Sequence, residues 1–77
     1  MNVTWLPLPT PFPELKLWGC YRGRFQYVLG YNGVLKLWGA TVKPSGVKEA
    51  FTQLGWQHPS REAAEAAMEQ HYRGTLQ

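Results

Sequence analysis

Hydrophobic and polar positions alternate along three segments in the first half of the chain, the pattern of strands that bury one face. The segment Leu15-Lys16-Leu17-Trp18-Gly19 recurs letter for letter at residues 35–39. Residues 25–31, between the two copies, are rich in the aromatic and branched side chains that suit a pleated surface. The pattern predicts a three-stranded antiparallel meander, with residues 53–57 as a candidate fourth strand and residues 47–51 as a helical turn.

Two turns set the register of the predicted sheet. Asn32-Gly33 predicts a two-residue type I′ turn that pairs Tyr31 with Val34, because both turn residues tolerate positive φ. The first hairpin turns either at Arg22-Gly23 or, as a type II′ turn, at Gly23-Arg24. These alternatives differ by a shift of two residues, so each side chain keeps its face in both.

A C-terminal helix is predicted from Arg61 to Arg73. Pro59 and Ser60 precede it as breaker and N-cap, and Gly74 follows it as a stop signal. Its small and apolar side chains fall on one stripe at helical spacing: Ala64, Ala67, Met68, His71 and Tyr72.

Together these elements predict one α+β domain at residues 15–77, in which a three- or four-stranded antiparallel sheet carries a single C-terminal helix on one face. Residues 1–14 hold four of the six prolines and predict an extended arm. This arm either packs its large side chains over the domain or stays free as a ligand for an aromatic-lined groove. The small helical residues are expected to cover the leucine side of the sheet, where they complement large side chains: Leu15, Leu17, Val28, Leu35 and Leu37.

Charge is distributed unevenly over the chain, whose net charge is +3. The residues up to Lys48 include six basic residues against Glu14 alone, a net +5, whereas the remainder is −2. An anionic partner is therefore expected to meet the sheet half. Because 14% of the residues are aromatic, we expect a folded domain that leaves some aromatic surface outside its core.

The residue types needed for catalysis are scarce, with no aspartate, one cysteine, two serines and two histidines. Ser45 is predicted in a turn and Ser60 as an N-cap, and neither His58 nor His71 has a second ligand at metal spacing. We expect a non-enzymatic protein without a cofactor or metal site. The lone Cys20 and the lack of a signal peptide or long apolar run predict a cytoplasmic protein that does not enter membranes.

The second sheet face, with its flat rings beside cations, is expected to point away from the helix and to bind a partner. Bases of single-stranded nucleic acid stack on such rings, and protein interfaces use Trp, Tyr and Arg as anchors. In the alternative interpretation the arm, with Trp5 and Phe12, or residues 44–57 cover the rings as a second small core. The predicted partner-binding residues are Lys16, Trp18, Arg22, Arg24, Tyr27, Leu29, Lys36 and Trp38.

Three strands followed by Leu54-Gly55-Trp56, with Ser60-Arg61-Glu62-Ala63 opening a helix, resemble the sheet-plus-helix DNA-binding domains of phage integrase N-termini and the plant AP2 family. That resemblance implies a sheet that enters the major groove. The residues that it would use are Lys16, Trp18, Arg22, Arg24, Tyr27, Lys36 and Trp38.

In size and compact design the chain also resembles small bacteriophage proteins of the anti-CRISPR and other anti-defence kinds. This resemblance implies an inhibitor that binds a host protein complex in the host-cell cytoplasm. We rank that function first and nucleic-acid binding second. The protein is expected to be a monomer, or a homodimer that pairs an exposed edge strand, Leu15 to Tyr21 or residues 34–42, with its own copy.

Overall fold

The computed structural model describes residues 4–46 and 52–75 of the chain, and the helical turn predicted for residues 47–51 lies outside them. Five strands form one antiparallel sheet in chain order, and one helix packs on it. The α+β class, the antiparallel sheet and the C-terminal helix agree with the prediction, but the sheet has five strands rather than three or four. The elements are β1 Leu6–Leu8, β2 Leu15–Arg22, β3 Phe25–Asn32, β4 Leu37–Pro44, β5 Thr52–Gln53 and α1 Arg61–Thr75.

The proline-rich arm supplies β1, an edge strand on which proline is tolerated. Leu8 pairs with Leu17 of β2. The indole Nε1 of Trp5, just before β1, donates a hydrogen bond to the Glu65 carboxylate of α1 at 2.8 Å, and the ring packs against the core. This part of the arm therefore packs on the domain, as the first of the two alternatives predicted.

The first hairpin follows the second of its two predicted alternatives. Arg22 pairs with Phe25, so that Gly23 and Arg24 form the two-residue turn. Gly23 has a φ of 60°, which a type II′ turn requires at its first position and which glycine adopts without strain.

The second hairpin differs from the prediction. Asn32 pairs with Leu37, and its side-chain Oδ1 accepts hydrogen bonds from the backbone N–H groups of Val34 and Leu35 at 3.0 and 3.1 Å. Asn32 thus opens a four-residue loop by capping backbone donors, and the positive φ falls on Lys36 (56°) instead. The pairing shifts by four residues, an even number, so the side chains that lie in strands keep the faces that the sequence predicted, whereas Leu35 and Lys36 fall in the loop.

The helix covers the opposite face from the one predicted. Ala64 and Met68 of α1 are fully buried against the row that was expected to face outward, which includes Tyr27 and Leu29. In the predicted register Lys36 would lie across from Leu29, whereas the observed register puts Ala40 there. The shift makes the centre of this face apolar on β2, β3 and β4, and the buried row consists of Cys20, Tyr27, Leu29, Ala40 and Val42.

The polar tips of the aromatic residues in this core find partners, which removes the usual penalty for burying them. The Tyr27 hydroxyl lies 3.0 Å from Nδ1 of His71, whose ring meets Phe25 edge to face at 5.2 Å between centroids. Desolvation raises the pKa of Tyr27 and that of the buried Cys20 thiol. Both side chains are therefore neutral members of the core at physiological pH.

The helix begins as predicted, with Ser60 Oγ accepting a hydrogen bond from Ala63 N at 3.1 Å. It ends at Thr75, two residues beyond the predicted end. No helix within residues 4–46 and 52–75 is long and apolar enough to span a membrane.

Both strands that were expected to be edges are interior. β1 pairs with β2 at residues 17–19, and β5 pairs with β4 at Thr41 and Val42. Their backbone groups at these positions are already used within the chain, so the predicted homodimer through Leu15 to Tyr21 or residues 34–42 loses its pairing edge.

Candidate functional site

The sheet face opposite α1, called the distal face below, is rich in aliphatic side chains. Because cross-strand partners share a face, β2 contributes Leu15 and Leu17, β3 contributes Val28 and β4 contributes Leu37. Val28 is buried and the three leucines are half-buried. The one helix of the described residues lies on the other face, so this surface carries no helical cover from residues 4–46 and 52–75.

Two glycines make a recess in the distal face. Gly30 of β3 lies opposite Gly39 of β4, and the indole of Trp56 lies against both. A Cβ atom at either position would overlap the indole ring. The close approach of the ring therefore depends on these two glycines.

A bulge in the edge of the sheet brings Trp56 to this position. The backbone of Ala40 hydrogen-bonds to both Leu54 and Gly55, and that of Trp38 hydrogen-bonds to His58. Between these bonded residues β4 has one residue, Gly39, and the facing segment has two, Trp56 and Gln57. The extra length lets Trp56 leave the ladder and turn onto the distal face.

A groove of about 400 Å³ lies on the distal face beside Trp56. This volume falls within the range of about 300 to 1,000 Å³ that is common for binding clefts. One side of the groove is set by the Trp56 indole, whose Nε1 donates to Oε1 of Gln53 at 2.6 Å. The lining combines apolar side chains with uncharged hydrogen-bonding groups: Leu8, Leu15, Leu17, Val28 and Trp56 with Gln26, Thr41 and Gln53.

Five large hydrophobic side chains among the described residues are exposed, and none belongs to α1. Leu6 and Tyr21 lie on the distal face and are 58% and 67% exposed. Phe12, Val34 and Leu35 lie in the loops that precede β2 and β4. The distal face thus carries two of these five side chains, next to its half-buried leucines, and apolar surface that is contiguous in this way is typical of an interaction site.

Charge is almost absent from the strands of the distal face. Lys43, which pairs with Gln26, is the one charged strand residue among residues 4–46 and 52–75 that the pairing places there. The carboxylates of the described residues are Glu14, which precedes β2, and Glu62, Glu65 and Glu69 of α1.

The eight residues predicted to contact a partner do not form one surface. Tyr27 and Leu29 are 0% exposed beneath α1, which corrects their assignment, because a partner cannot reach them in this fold. Arg22 forms an ion pair with Glu69 of α1, and its guanidinium lies 4.1 Å from the centroid of the Tyr72 ring. The remaining five are the exposed Lys16, Arg24 and Lys36 and the half-buried Trp18 and Trp38.

The two repeat tryptophans belong to an aromatic cluster on the helix-covered face. The rings of Trp18 and Trp38 stack with 5.9 Å between centroids, and Tyr31 lies 4.7 Å from Trp38. Both tryptophans pack against the buried core, as does Trp5 of the arm. The alternative interpretation, in which the rings are covered, thus describes them better, since Trp5 of the arm packs on the same core.

The sequence interpretation missed Trp56 and the role of the arm residue Leu8 in the groove. A signal for the first was present, since Gly30 and Gly39 interrupt predicted strands, and a glycine inside a strand marks the close approach of another group. Nothing in the local pattern identifies Trp56 as that group, because it lies 17 residues beyond Gly39 in sequence.

Within the described residues no group of three or more His, Cys, Asp or Glu side chains could hold a metal ion. The chain has no significant match to a protein-family model, a curated protein or a solved structure.

Proposed function

We propose that this protein is a non-enzymatic binding module that docks a segment of another protein on its distal face. The groove beside Trp56 is the observation that carries the proposal. It joins an apolar floor to three uncharged hydrogen-bonding side chains, which is the composition of a cleft that takes side chains of a partner. Half-buried Leu15 and Leu17 would lose their remaining contact with water on binding, which is a source of affinity.

A protein partner suits this surface better than a nucleic acid does. Binding to a nucleic acid draws its affinity from cations that neutralise successive phosphates along the bound strand. Lys43 is the one charged strand residue on the distal face among the described residues, and the exposed Arg24 and Lys36 lie only beside the strand ends. The helix-covered face has more cations, but its Trp18 and Trp38 are half-buried, which leaves only part of each ring for stacking with bases. We therefore keep nucleic-acid binding in second place, and retention on oligonucleotides at about 50 mM salt would reverse this order.

The identity of the partner is a separate question. That it belongs to a host defence complex stays a prediction, which rests on the resemblance to small bacteriophage proteins.

A library of short, displayed random peptides tests the proposed surface without knowledge of the natural partner. We expect a selection that uses the whole chain as its target to yield peptides that the groove binds. Leu17→Asn introduces an amide into the groove and should weaken such peptides by about tenfold or more, the loss typical of an anchor residue.

Ala66→Asn is the matched control, because it adds the same amide at an exposed position on α1 and should leave peptide affinity unchanged. Near-ultraviolet circular dichroism establishes that both variants are folded. Tyr21→Asn, at a position 67% exposed, gives a second groove-side variant with little risk to the fold. Peptides that bind all four proteins equally would refute the distal face as the docking surface.

A further inference from the structure

Charge separates between the two layers of the molecule. In the helix layer Glu62, Glu65 and Glu69 outnumber Arg61 and Arg73. In the sheet layer the described charges are basic except for Glu14, which directly precedes β2. The basic residues of that layer are Lys16, Arg22, Arg24, Lys36 and Lys43.

Ion pairing sharpens this separation. Arg22 is held by Glu69, and Glu69 also accepts a hydrogen bond from Arg73 at 3.1 Å. Glu65 lies 3.5 Å from Arg61 and accepts the Trp5 indole hydrogen bond. Glu65 and Glu69 of α1 are therefore engaged on their own side of the sheet, while Arg24 and Lys36 are exposed beside the two ends of β3. Lys16 is also exposed, but its alternation with Leu15 and Leu17 places it on the helix-covered face.

The positive charge of the sheet layer favours some occupants of the apolar groove over others. A second copy of the chain would bring two basic sheet layers together, which like-charge repulsion disfavours. A segment with carboxylates on either side of its apolar residues would be attracted to the sheet layer and would bury no unpaired charge in the groove.

We infer that the segment docked on the distal face is acidic: apolar side chains enter the groove beside Trp56, and flanking carboxylates face the basic rim of the sheet, which consists of the exposed Arg24 and Lys36 beside the two ends of β3. The inference rests on the proposed function and adds the chemistry of the partner. In this arrangement the groove makes apolar contacts with the docked segment, and the cations of the rim attract the segment and orient it.

The peptides selected from the random library test this directly. We expect those that lose affinity for Leu17→Asn to be enriched in Asp and Glu next to apolar residues. Their affinity should fall as salt rises from about 50 to about 300 mM, because screening shortens the reach of the rim charges.

Two double variants that remove the same number of positive charges distinguish the effect of the rim cations on peptide affinity from the effect of net charge. The double variant Arg24→Gln/Lys36→Gln, at two exposed positions, should weaken a selected peptide by about two- to fivefold for each charge removed, as expected for exposed ion pairs. The double variant Arg61→Gln/Arg73→Gln removes the same charge from α1 and should have no comparable effect.

The outcomes distinguish the two proposals. Groove-dependent peptides that are acidic and respond to the rim variant support the inference. Groove-dependent peptides that are neutral or basic, or that respond equally to both double variants, overturn the inference and leave the proposed function standing. Failure to recover any groove-dependent peptide overturns both.

Discussion

Arg22 shows how one side chain joins the helix to the sheet. Its guanidinium donates to Glu69 through two nitrogens and lies over the Tyr72 ring. The hydrogen bond from Arg22 lowers the pKa of Glu69 and raises that of Arg22. The contact therefore favours the charged form of both groups, and it occupies a cation that the sequence alone assigned to partner binding.

Acid should weaken this contact. Because the pKa of Glu69 is lowered on folding, its contribution to stability is fully present above the ordinary glutamate pKa and is lost as pH falls through the lowered value. Between about pH 7 and about pH 3, wild type should lose more stability than Glu69→Gln in urea unfolding. Ala66→Asn, an exposed substitution on α1 that leaves both Glu69 and Arg22 in place, should lose as much as wild type does. Equal losses in wild type and Glu69→Gln would contradict this account.

Among the secondary-structure elements, β4 and the bulged segment facing it position Trp56 beside the groove, which side chains of β1, β2 and β3 also line. β4 places Ala40 and Val42 in the core on one side and Gly39 and Thr41 on the other. The bulge then turns Trp56 onto the glycine recess. A regular two-stranded edge would leave that recess empty, since side chains on a regular strand stand beside their cross-strand neighbours.

Substitution of the recess glycine should displace the tryptophan. Gly39→Ala places a methyl group where the Trp56 indole lies, and we expect a loss of about 1 to 3 kcal/mol of stability from overpacking. Fluorine NMR of 5-fluorotryptophan-labelled protein identifies the Trp56 signal by its absence from Trp56→Phe, and that signal should move most. Gly74→Ala is the control, because nothing lies within 4 Å of the added carbon. An unmoved Trp56 signal in Gly39→Ala would disprove the recess.

At the scale of the whole molecule, the sheet has two different faces, one of which α1 covers, and the proline-rich arm completes the sheet at its first edge. β1 extends the sheet, Leu8 lines the groove, and Trp5 reaches the core and α1. The arm thus contributes side chains to both faces of the sheet. Fold and candidate site consequently depend on the same residues near the N-terminus.

Two aromatic residues of the arm should differ sharply in their effect on stability. Trp5→Ala should reduce the free energy of unfolding by about 2 kcal/mol, less than the roughly 3 to 5 kcal/mol for a fully buried aromatic residue, because Trp5 is half-buried. Phe12→Ala, at a position 56% exposed, should change it by less than about 0.5 kcal/mol. Urea unfolding monitored by circular dichroism measures both. Similar effects of the two substitutions would show that the arm does not pack as described.

The sequence predicted the elements of the fold better than it predicted the site. The three strands of the meander, the Ser60 cap and the helical stripe with Ala64 and Met68 depend on spacings within a few residues, and the structure has each of them. The third of these strands begins only at Leu37, and the candidate strand at residues 53–57 is replaced by the short β5. The prediction of the site depended on whether α1 would cover the sheet face that carries Tyr27 and Leu29. That choice was wrong, and the predicted partner-binding residues were divided between a core, an ion pair and exposed positions.

What the sequence by itself determined was the division of side chains between two faces, because alternation along a strand survives any even shift in pairing. The two hairpin registers, the face that α1 covers and the position of Trp56 were decided only in the tertiary structure. Each of these depends on how strands, helix and arm pack together. Both faces are apolar enough to attract a helix, and the four-residue shift at Asn32 brought Ala40 rather than Lys36 beside Leu29, which made one of them the better core.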